Sequence, residues 1–319
     1  MTDHKNNILL LLASTILTLI IIEVSLGIYY SRNPQTTGVC AGKICKSWLK
    51  QNWRTNGLGF RDKEWNSSEK QAGALFIGDS FAAGFGVREI DRYSNVADAN
   101  NNSGIKTYNA GNNNSNTIDE YRSLKNLTPA IISPKFVVYQ YLGNDIEYLF
   151  DLDWLLKPSF IQKAALYFIE NSFLFDMVLR PFYLKEFRQT YQDKLVAAYK
   201  DPETFSKHQG NIKKIFDHIR KIEAKNIFVP FPMLGSKEVF AQTESLYVKN
   251  LEKFFRDNCY PGDKMVKLSP LLYSIPSNKW TASKFDSHPS SIVHNKIGEV
   301  LADAFDNKKN KYLFSCSKQ

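Results

Sequence analysis

Five histidines can act as a base in this chain, and the sequence around them singles out one. His288 follows Asp286 by two residues and directly precedes Pro289, a residue that suits the first turn of a helix. We expect a loop here, from which an imidazole can point into a cleft while the carboxylate orients it. Of the others, His4 lies before an apolar N-terminal segment, and His294 lies in the helix that follows Pro289. His208 and His218 lie among the lysines of a predicted surface helix, where we expect their side chains to be solvated. His288 is therefore the candidate general base.

The candidate nucleophile is Ser80, which follows Gly-Asp at positions 78–79. A serine hydroxyl is a poor nucleophile near neutral pH, so it needs a base beside it. The preceding apolar run predicts a buried strand, and Ser80 stands where a helix should begin. Backbone N–H groups at a helix start favour a developing negative charge. A phosphate-binding loop is disfavoured because no Gly-Lys-Ser/Thr pattern follows, whereas a simple helix cap is the alternative for Gly-Asp-Ser alone.

Short apolar runs alternate with helical patterns over much of the chain. The runs predict strands at 74–77, 105–108, 136–141 and 226–230, and the patterns between them predict helices at 118–127, 211–224 and 244–256. This alternation is typical of an α/β fold with a doubly wound, flavodoxin-like parallel sheet and helices on both faces. Ligands of such sheets bind beyond the carboxyl ends of the strands. Polar triplets at 78–80, 109–111 and 143–145 follow three predicted strands, so we expect them to converge.

These triplets and the histidine segment resemble the four motif blocks of the SGNH (GDSL-like) hydrolases. Phe-Ile-Gly-Asp-Ser-Phe at 76–81 is similar to the first block, Asn-Ala-Gly at 109–111 to the second, Gly-Asn-Asp at 143–145 to the third and Asp-Ser-His-Pro at 286–289 to the last. Residues 54–62 also resemble the lead-in of bacterial members that are anchored by a single membrane span. The resemblance covers roughly residues 54–306 and keeps the family's block order.

The resemblance assigns a role to each matching residue. Ser80 would be the nucleophile, and His288 the general base that later protonates the leaving group. Asp286 would orient the imidazole. The oxyanion hole would consist of the backbone N–H groups of Ser80 and Gly111 and the side-chain amide of Asn144. We expect glycine at position 111 because a side chain would crowd the approaching acyl group, and a turn-capping role is the alternative for Asn144.

Two features depart from the family pattern. The family often places its acid three residues before the histidine, where this chain has Phe285, so Asp286 is the only nearby carboxylate. The second block lacks a further glycine and continues as three asparagines at 112–114. This difference affects the acyl pocket and therefore leaves the substrate class open.

The N-terminal segment from Ile8 to Tyr30 is apolar except for Glu23. As a helix it spans ~30 Å of hydrocarbon, which predicts an uncleaved transmembrane anchor. Cleavage after a Ser-Leu-Gly site at 25–27 is the alternative. One basic residue, Lys5, precedes the segment, and four follow it by position 50. Because cytoplasmic flanks of a span usually carry the excess of positive charge, this balance taken literally would retain the domain after the span in the cytoplasm.

Long domains, however, cross the membrane largely regardless of flanking charge. The chain has four cysteines: Cys40 and Cys45 are close enough to pair across a short loop, and Cys259 and Cys316 are a second candidate pair. Disulfides form in oxidising compartments, although free buried thiols are the alternative. We therefore expect a single-pass protein of the cell inner (cytoplasmic) membrane with an extracytoplasmic catalytic domain.

The sequence predicts four regions: a tail and transmembrane anchor at 1–30, a juxtamembrane linker and lead-in at 31–70, an SGNH hydrolase domain at 71–310 and a C-terminal tail at 311–319. An aromatic-rich insertion at about 146–205 has helical spacing. We interpret it as a helical cap over the strand ends that can also rest against the membrane. Core packing of a helical subdomain is the alternative.

Charge and composition limit the classes of partner that the chain is expected to bind. Lysine and arginine outnumber acidic residues 41 to 32, giving a formal charge of +9. Because the excess is scattered, we expect no nucleic-acid partner but a basic surface near anionic lipid or acidic glycan. The cysteines lack the ligand spacing of a metal site, so neither a metal nor another cofactor is expected. Nothing in the sequence indicates an oligomeric state.

The predicted reaction is hydrolysis of an acyl ester through an acyl-Ser80 intermediate. The expected substrate is a small O-acyl group, such as acetyl, on a cell-envelope glycan or lipid. An O-acyltransferase that passes the acyl group to a polysaccharide hydroxyl is the first alternative. A non-catalytic envelope assembly protein that kept the fold is the second, although a binding module has no need of Ser80, Asn144 and His288 together.

Overall fold

The computed structural model describes residues 2–37, 42–65, 73–150 and 158–317. The chain forms two compact units, each built from two stretches of sequence. One comprises residues 1–51 and 153–190, and the other comprises residues 52–152 and 191–319.

The larger unit contains a six-stranded sheet in the order β2-β1-β3-β4-β5-β8. The strands are β1 (Gly73–Ile77), β2 (Lys106–Asn109), β3 (Phe136–Tyr141), β4 (Lys225–Pro230), β5 (Lys264–Val266) and β8 (Leu313–Ser315). The first five are parallel and β8 is antiparallel to β5. Two further strands, β6 (Thr281–Ser283) and β7 (Asp286–Pro289), form an antiparallel hairpin. The 2-1-3-4-5 order confirms the predicted doubly wound, flavodoxin-like sheet.

The helices, numbered along the whole chain, are α1 (Thr2–Arg32), α2 (Lys43–Asn52), α3 (Ser80–Ala83), α4 (Tyr93–Asn100), α5 (Thr117–Leu127), α6 (Phe160–Asn171), α7 (Phe173–Lys200), α8 (Pro202–Lys221), α9 (Lys237–Thr243), α10 (Lys249–Asn258), α11 (Leu268–Tyr273) and α12 (Ser291–Phe305). A π-helical turn at Glu244–Val248 joins α9 to α10. Short 3-10 segments lie at Glu89–Asp91, Gly143–Leu149 and Ser277–Lys279.

Alternate residues of the central strands belong to two apolar layers, one on each face of the sheet. Phe76 and Val138 pack with residues of α4 and α12 on one face. Leu75 and Val137 pack with residues of α5, α8 and α10 on the other. Side chains point alternately to the two faces of a strand, so a strand buried on both sides reads as a continuous apolar run. This is why β1 and β3 could be predicted from the sequence.

Within the predicted C-terminal tail at 311–319, residues Leu313–Ser315 form β8 at the edge of the sheet. A disulfide between Cys259 and Cys316 ties the end of this strand to the residue after α10, so this pairing is confirmed. Strands β5 and β8 are three residues long, and β5 begins with a lysine whose ammonium group donates to the Ala304 carbonyl. Such short segments lack the apolar alternation that predicts a strand.

The smaller unit contains α1, α2, α6 and most of α7. Helix α1 is one continuous helix, and from His4 to Arg32 it is long and apolar enough to cross a membrane. The predicted linker at 31–70 is not extended throughout, because α2 lies within it. Cys45 is buried in α2, whereas the pairing predicted for Cys40 lies outside the described residues.

Candidate active site

Ser80, His288 and Asp286 form a continuous hydrogen-bonded chain. His288 Nε2 lies 2.7 Å from Ser80 Oγ, and His288 Nδ1 lies 2.5 Å from Asp286 Oδ1. The Asp286 carboxylate also accepts a bond from the His288 backbone N–H at 2.9 Å. The two-residue spacing thus places the acid on the ring nitrogen that faces away from the serine. This arrangement leaves Nε2 free to accept the hydroxyl proton, as a serine–histidine–acid relay requires.

A short strand, rather than the expected loop, holds His288. Residues Asp286–Pro289 form β7, and α12 begins at Ser291 with Ser290 as its cap. The rings of Phe81 and Phe85 lie 5.2 and 4.6 Å from the imidazole, measured between ring centroids. The imidazole therefore has a fixed orientation between the strand backbone and two aromatic rings. The strand was not predicted because a four-residue polar segment that ends in proline lacks the β-branched and aromatic residues typical of strands.

Ser80, the candidate nucleophile, is held by a tight turn between β1 and α3. Gly78 has φ of +152°, and a Cβ there would lie 2.3 Å from Gln140 Oε1. The same Gln140 oxygen accepts the backbone N–H groups of Asp79 and Ala82, each at 3.1 Å. Asp79 caps α3 by accepting the Phe81 N–H at 2.8 Å. Gln140 was not predicted as a site residue, although a lone amide within a buried apolar strand is the signal that could have found it.

We expect Gln140→Leu to destabilise the fold by ~2–6 kcal/mol and to lower the catalytic rate. Leucine has a similar size but cannot accept, so two buried N–H groups beside Ser80 lose their partner, at ~1–3 kcal/mol each. Denaturant unfolding of the detergent-solubilised full chain measures the loss. Gln242→Leu, at an exposed glutamine, is the matched control. Equal stability of the two variants would show that Gln140 does not hold the turn.

The predicted oxyanion donors lie at the carboxyl ends of three neighbouring strands. No group in the described part of the chain accepts a hydrogen bond from the Ser80 N–H, which is therefore available. Asn144 Nδ2 donates to Asp79 Oδ2 at 3.1 Å. An amide nitrogen carries two hydrogens, so one remains for a substrate. The Gly111 N–H already donates to Asn109 Oδ1 at 2.9 Å, so its role as a donor requires that bond to be shared.

Close approach of two backbones requires glycine at position 111. A Cβ there would lie 2.4 Å from the Ala83 nitrogen and 2.6 Å from the Ala82 carbonyl carbon. These atoms belong to α3, and the space that glycine leaves for an acyl group stays a prediction. The contact holds the second block against the helix that begins with Ser80.

Two histidines expected to be solvated are not. His208 is fully buried, and its Nε2 and Nδ1 atoms lie 2.8 and 2.9 Å from the hydroxyls of Tyr141 and Tyr148. Burial lowers its pKa to about 3, so the ring is neutral. His218 is half-buried and its Nε2 lies 3.0 Å from Thr128 Oγ1. Charged neighbours in sequence suggested a surface position, but the helix directs these two rings inward.

The His208 network supports the third block. Tyr141 also contacts the hydroxyl of Tyr199, which donates to the Gly143 carbonyl at 2.9 Å. The residue that precedes Asn144 is thus held by an α7 side chain that sequence analysis did not identify. His294 lies in α12 as expected, where burial lowers its pKa to about 3. Within the described ranges, His288 is therefore the histidine available to Ser80.

The lead-in segment connects the first two blocks. The buried Arg61 guanidinium donates to the carbonyl oxygens of Ala83, Gly84 and Val87, at 3.1, 2.5 and 2.8 Å. Asp62 accepts the Asn109 N–H at 2.8 Å and pairs with buried Arg92 at 2.7 Å. Burial, followed by the charge of neighbouring Arg92, lowers the pKa of Arg61 to about 10, which leaves it charged at neutral pH. The segment at 54–62 thus contributes positioning contacts around the site.

Three buried carboxyl groups lie beneath the site. Burial raises the pKa of Asp79, even though it accepts bonds from Phe81 and Asn144. Burial, followed by nearby Asp79, raises the pKa of Glu120 well above its usual range. Burial, followed by the charges of Glu120 and Asp79, does the same for Asp145. Like charges in a water-poor environment disfavour joint ionisation, so we expect Glu120 to be protonated in the folded protein near neutral pH.

Glu120→Gln should therefore gain stability relative to the parent as pH rises from about 5 to 8. The unfolded side chain ionises near pH 4.3, whereas burial holds the pKa of the folded side chain well above its usual range. The stability contributed by Glu120 is complete below the unfolded pKa and is lost as pH rises towards the folded pKa, by up to ~1.4 kcal/mol per unit. Unfolding free energies over this range measure the effect, with exposed Glu203→Gln as control. A pH-independent difference would contradict the assignment.

The arrangement brings together a candidate nucleophile, a candidate base and candidate oxyanion donors. Across the described residues, no group of three or more histidine, cysteine or acidic side chains is placed to hold a metal ion. The chemistry available from these side chains is acyl transfer to Ser80.

No protein-family model matches the chain, and no curated protein matches it. Several solved structures are similar to it. A putative lipolytic protein of the G-D-S-L family from Desulfitobacterium hafniense is 14% identical, with 73% of this chain and 99% of that chain covered and a TM-score of 0.44. A lipase from a goat rumen metagenome is 15% identical, with 73% and 97% covered and a TM-score of 0.45. A catalytic mutant of an acetylxylan esterase from Geobacillus stearothermophilus is 14% identical, with 74% and 94% covered and a TM-score of 0.40.

Proposed function

We propose that this chain is a membrane-anchored serine esterase of the SGNH type that removes a small acyl group from a cell-envelope glycan or lipid. The observation that carries the proposal is the 2.7 Å approach of His288 Nε2 to Ser80 Oγ, with Asp286 on the opposite ring nitrogen. The ordered blocks at 76–81, 109–111 and 143–145 support it, because each lies at the carboxyl end of a neighbouring parallel strand.

In the acylation step, Ser80 Oγ attacks the ester carbonyl carbon as its proton moves to His288 Nε2. The carbonyl oxygen becomes an oxyanion near the Ser80 N–H and the free amide hydrogen of Asn144. A preorganised donor of this kind is worth ~3 kcal/mol of barrier. The bond to the leaving alcohol oxygen then breaks, and His288 returns the proton to that oxygen. Asp286 stabilises the imidazolium during the step.

In the deacylation step, water replaces the alcohol. His288 takes a proton from the water while the water oxygen attacks the acyl carbon of acyl-Ser80. The second tetrahedral intermediate uses the same donors. The bond between the acyl carbon and Ser80 Oγ then breaks, and His288 returns the proton to the serine as the carboxylic acid departs.

The acyl group is proposed to be short. Phe81 and Phe85 pack against the imidazole and hold it beside Ser80. The apolar helix α1 would keep the catalytic unit beside the bilayer, where envelope glycans and lipids are accessible substrates.

The test is hydrolysis of chromogenic esters of increasing chain length by the purified full chain. We expect turnover of the acetyl ester to exceed that of the octanoyl ester. Addition of an acetyl-accepting oligosaccharide separates hydrolysis from transfer: free acetate remains the main product of an esterase, whereas acetylated oligosaccharide identifies an acyltransferase. Absence of turnover with every ester and acceptor would favour a non-catalytic assembly protein.

We further propose that the catalytic unit lies outside the cytoplasm and that α1 anchors it in the inner membrane. The Cys259–Cys316 disulfide supports this side, since such bonds persist in oxidising compartments. A reporter fused after Gln319 should behave as extracytoplasmic. Activity of a reporter that functions only in the cytoplasm would overturn this orientation.

A further inference from the structure

The single carboxylate within the apolar part of α1 joins that helix to the start of α7. Glu23 accepts bonds from Ser172 Oγ at 2.8 Å and from the backbone N–H groups of Phe173 and Leu174, each at 3.0 Å. Lys43 Nζ lies 3.0 Å from the same carboxylate. A charge in an apolar span is costly unless it is paired and hydrogen-bonded, and Glu23 meets both conditions.

Neighbouring residues on the same face of α1 complete the contact. Phe173 stacks on Tyr30 with ring centroids 5.8 Å apart, and a Cβ added to Gly27 would lie 3.4 Å from the Phe173 ring. Positions 23, 27 and 30 are three to four residues apart and therefore share one helical face. The junction between α6 and α7 thus packs on α1 between Glu23 and Tyr30.

A second carboxylate fixes the rest of this unit. Asp176, which is fully buried, accepts the Ile44 N–H at the start of α2 at 2.7 Å and pairs with Arg180 at 2.6 Å. Glu23, whose side chain is 29% exposed, therefore joins α1 to α7 and to Lys43, and buried Asp176 joins α7 to α2. Moving the junction away from α1 would break the bonds that Glu23 accepts.

The contact sets the depth of the junction relative to a bilayer. A hydrocarbon core of ~30 Å takes up about 20 helical residues, and 20 residues from Ile8 end near Gly27. If α1 spans the membrane, the junction lies at the edge of the hydrocarbon layer.

Large apolar side chains surround this junction and face outward. We define the junction patch as Tyr167, Phe168, Phe175, Met177 and Val178, whose exposed fractions range from 37% to 66%. All lie within about two helical turns of Ser172. Exposed apolar residues of the larger unit, such as Leu58 and Ile90, are instead separated in sequence and belong to different segments.

We propose that the junction patch is a second membrane contact, inserted at the interface between acyl chains and headgroups beside α1. Lipid is the occupant because the junction packs on α1 between Glu23 and Tyr30, the same stretch of the apolar helix in which Val24 and Ile28 are exposed. Aromatic side chains such as Tyr167 and Phe168 are typical of this layer. The inference rests on the proposed anchoring by α1, and adds that α6 and α7 contact lipid too.

Nitroxide accessibility on the full chain in phosphatidylcholine–phosphatidylglycerol nanodiscs tests this proposal. Labels are placed one at a time through Tyr167→Cys and Val178→Cys. Tyr273→Cys, on α11 of the larger unit, is matched to the first by residue type and exposure, 61% against 66%. Val24→Cys, within α1, is matched to the second, 56% against 45%. Apolar oxygen and a water-soluble nickel chelate are the two relaxation agents.

We expect the ratio of oxygen to nickel accessibility at Tyr167 and Val178 to be several-fold higher than at Tyr273 and to approach that at Val24. A lipid-like Val24 with water-like Tyr167 and Val178 would overturn the patch proposal while leaving the anchor intact. Water-like values at all four positions would refute the anchor, and the patch proposal with it. Tyr167 and Val178 shielded from both agents would indicate a protein partner or a second copy, and would also overturn the proposal.

Discussion

Ser80→Ala is expected to reduce kcat for ester hydrolysis by roughly 10⁶-fold, the size of loss found when the nucleophile of a comparable triad is removed. The expected loss is large because Ser80 Oγ is the atom that His288 Nε2 approaches, so no other hydroxyl is activated in its place. The fold should persist. The capping bond of α3 comes from Asp79 and the turn is held by Gln140, neither of which depends on the serine hydroxyl.

Initial rates with an acetyl ester, measured on the full chain, provide the comparison. Ser287→Ala is the matched control, since that serine is exposed beside His288 and should retain parental activity. Unfolding curves that superimpose on the parent would separate lost chemistry from lost structure. Residual turnover of Ser80→Ala above a few per cent in a clean preparation would refute the assignment of the nucleophile.

Asp286→Asn is expected to be severe but milder than His288→Ala, with a loss near the ~10⁴-fold that follows the equivalent change in a serine–histidine–aspartate triad. Asp286 Oδ1 accepts from both the ring Nδ1 and the backbone N–H of His288. An asparagine that keeps the backbone bond through its oxygen can still hold the start of β7, yet it cannot stabilise the imidazolium as a carboxylate does. An amide nitrogen facing Nδ1 would favour the wrong tautomer.

The two variants are compared through kcat at several pH values, with Asp257→Asn, at an exposed aspartate, as the control. We expect the loss in Asp286→Asn to appear in kcat rather than KM, because Asp286 contacts the histidine and not the substrate. Near-parental activity of Asp286→Asn in a folded protein would make Asp286 a capping residue and the site a Ser80–His288 dyad.

Sequence alone predicted the central sheet because its strands are buried on both faces. The apolar runs in β1 and β3 have no other stable environment, and the polar triplets after them mark the strand ends. The shortest strands were missed for the opposite reason. β5, β8 and the β6–β7 hairpin each gain their stability from tertiary partners, including the Cys259–Cys316 disulfide, and not from a local pattern.

The residues predicted for the site come together, but the contacts that hold them were largely invisible in the sequence. Gln140 and Tyr199 fix the first and third blocks through hydrogen bonds to distant backbone groups. His208 was misplaced because nearby lysines suggested a solvated helix, whereas its own ring faces the core. Hydrogen-bond partners far apart in sequence carry no periodic signal, so only the folded chain shows them.

Covalent labelling by a fluorophosphonate tests the central claim most directly, because it depends on an activated serine and not on knowledge of the substrate. The account predicts that the native full chain is labelled at a single serine, that peptide mapping places the adduct on Ser80, and that His288→Ala prevents it. An adduct on a different serine, or no adduct at neutral pH in a folded preparation, would contradict the proposal that Ser80 is a nucleophile activated by His288.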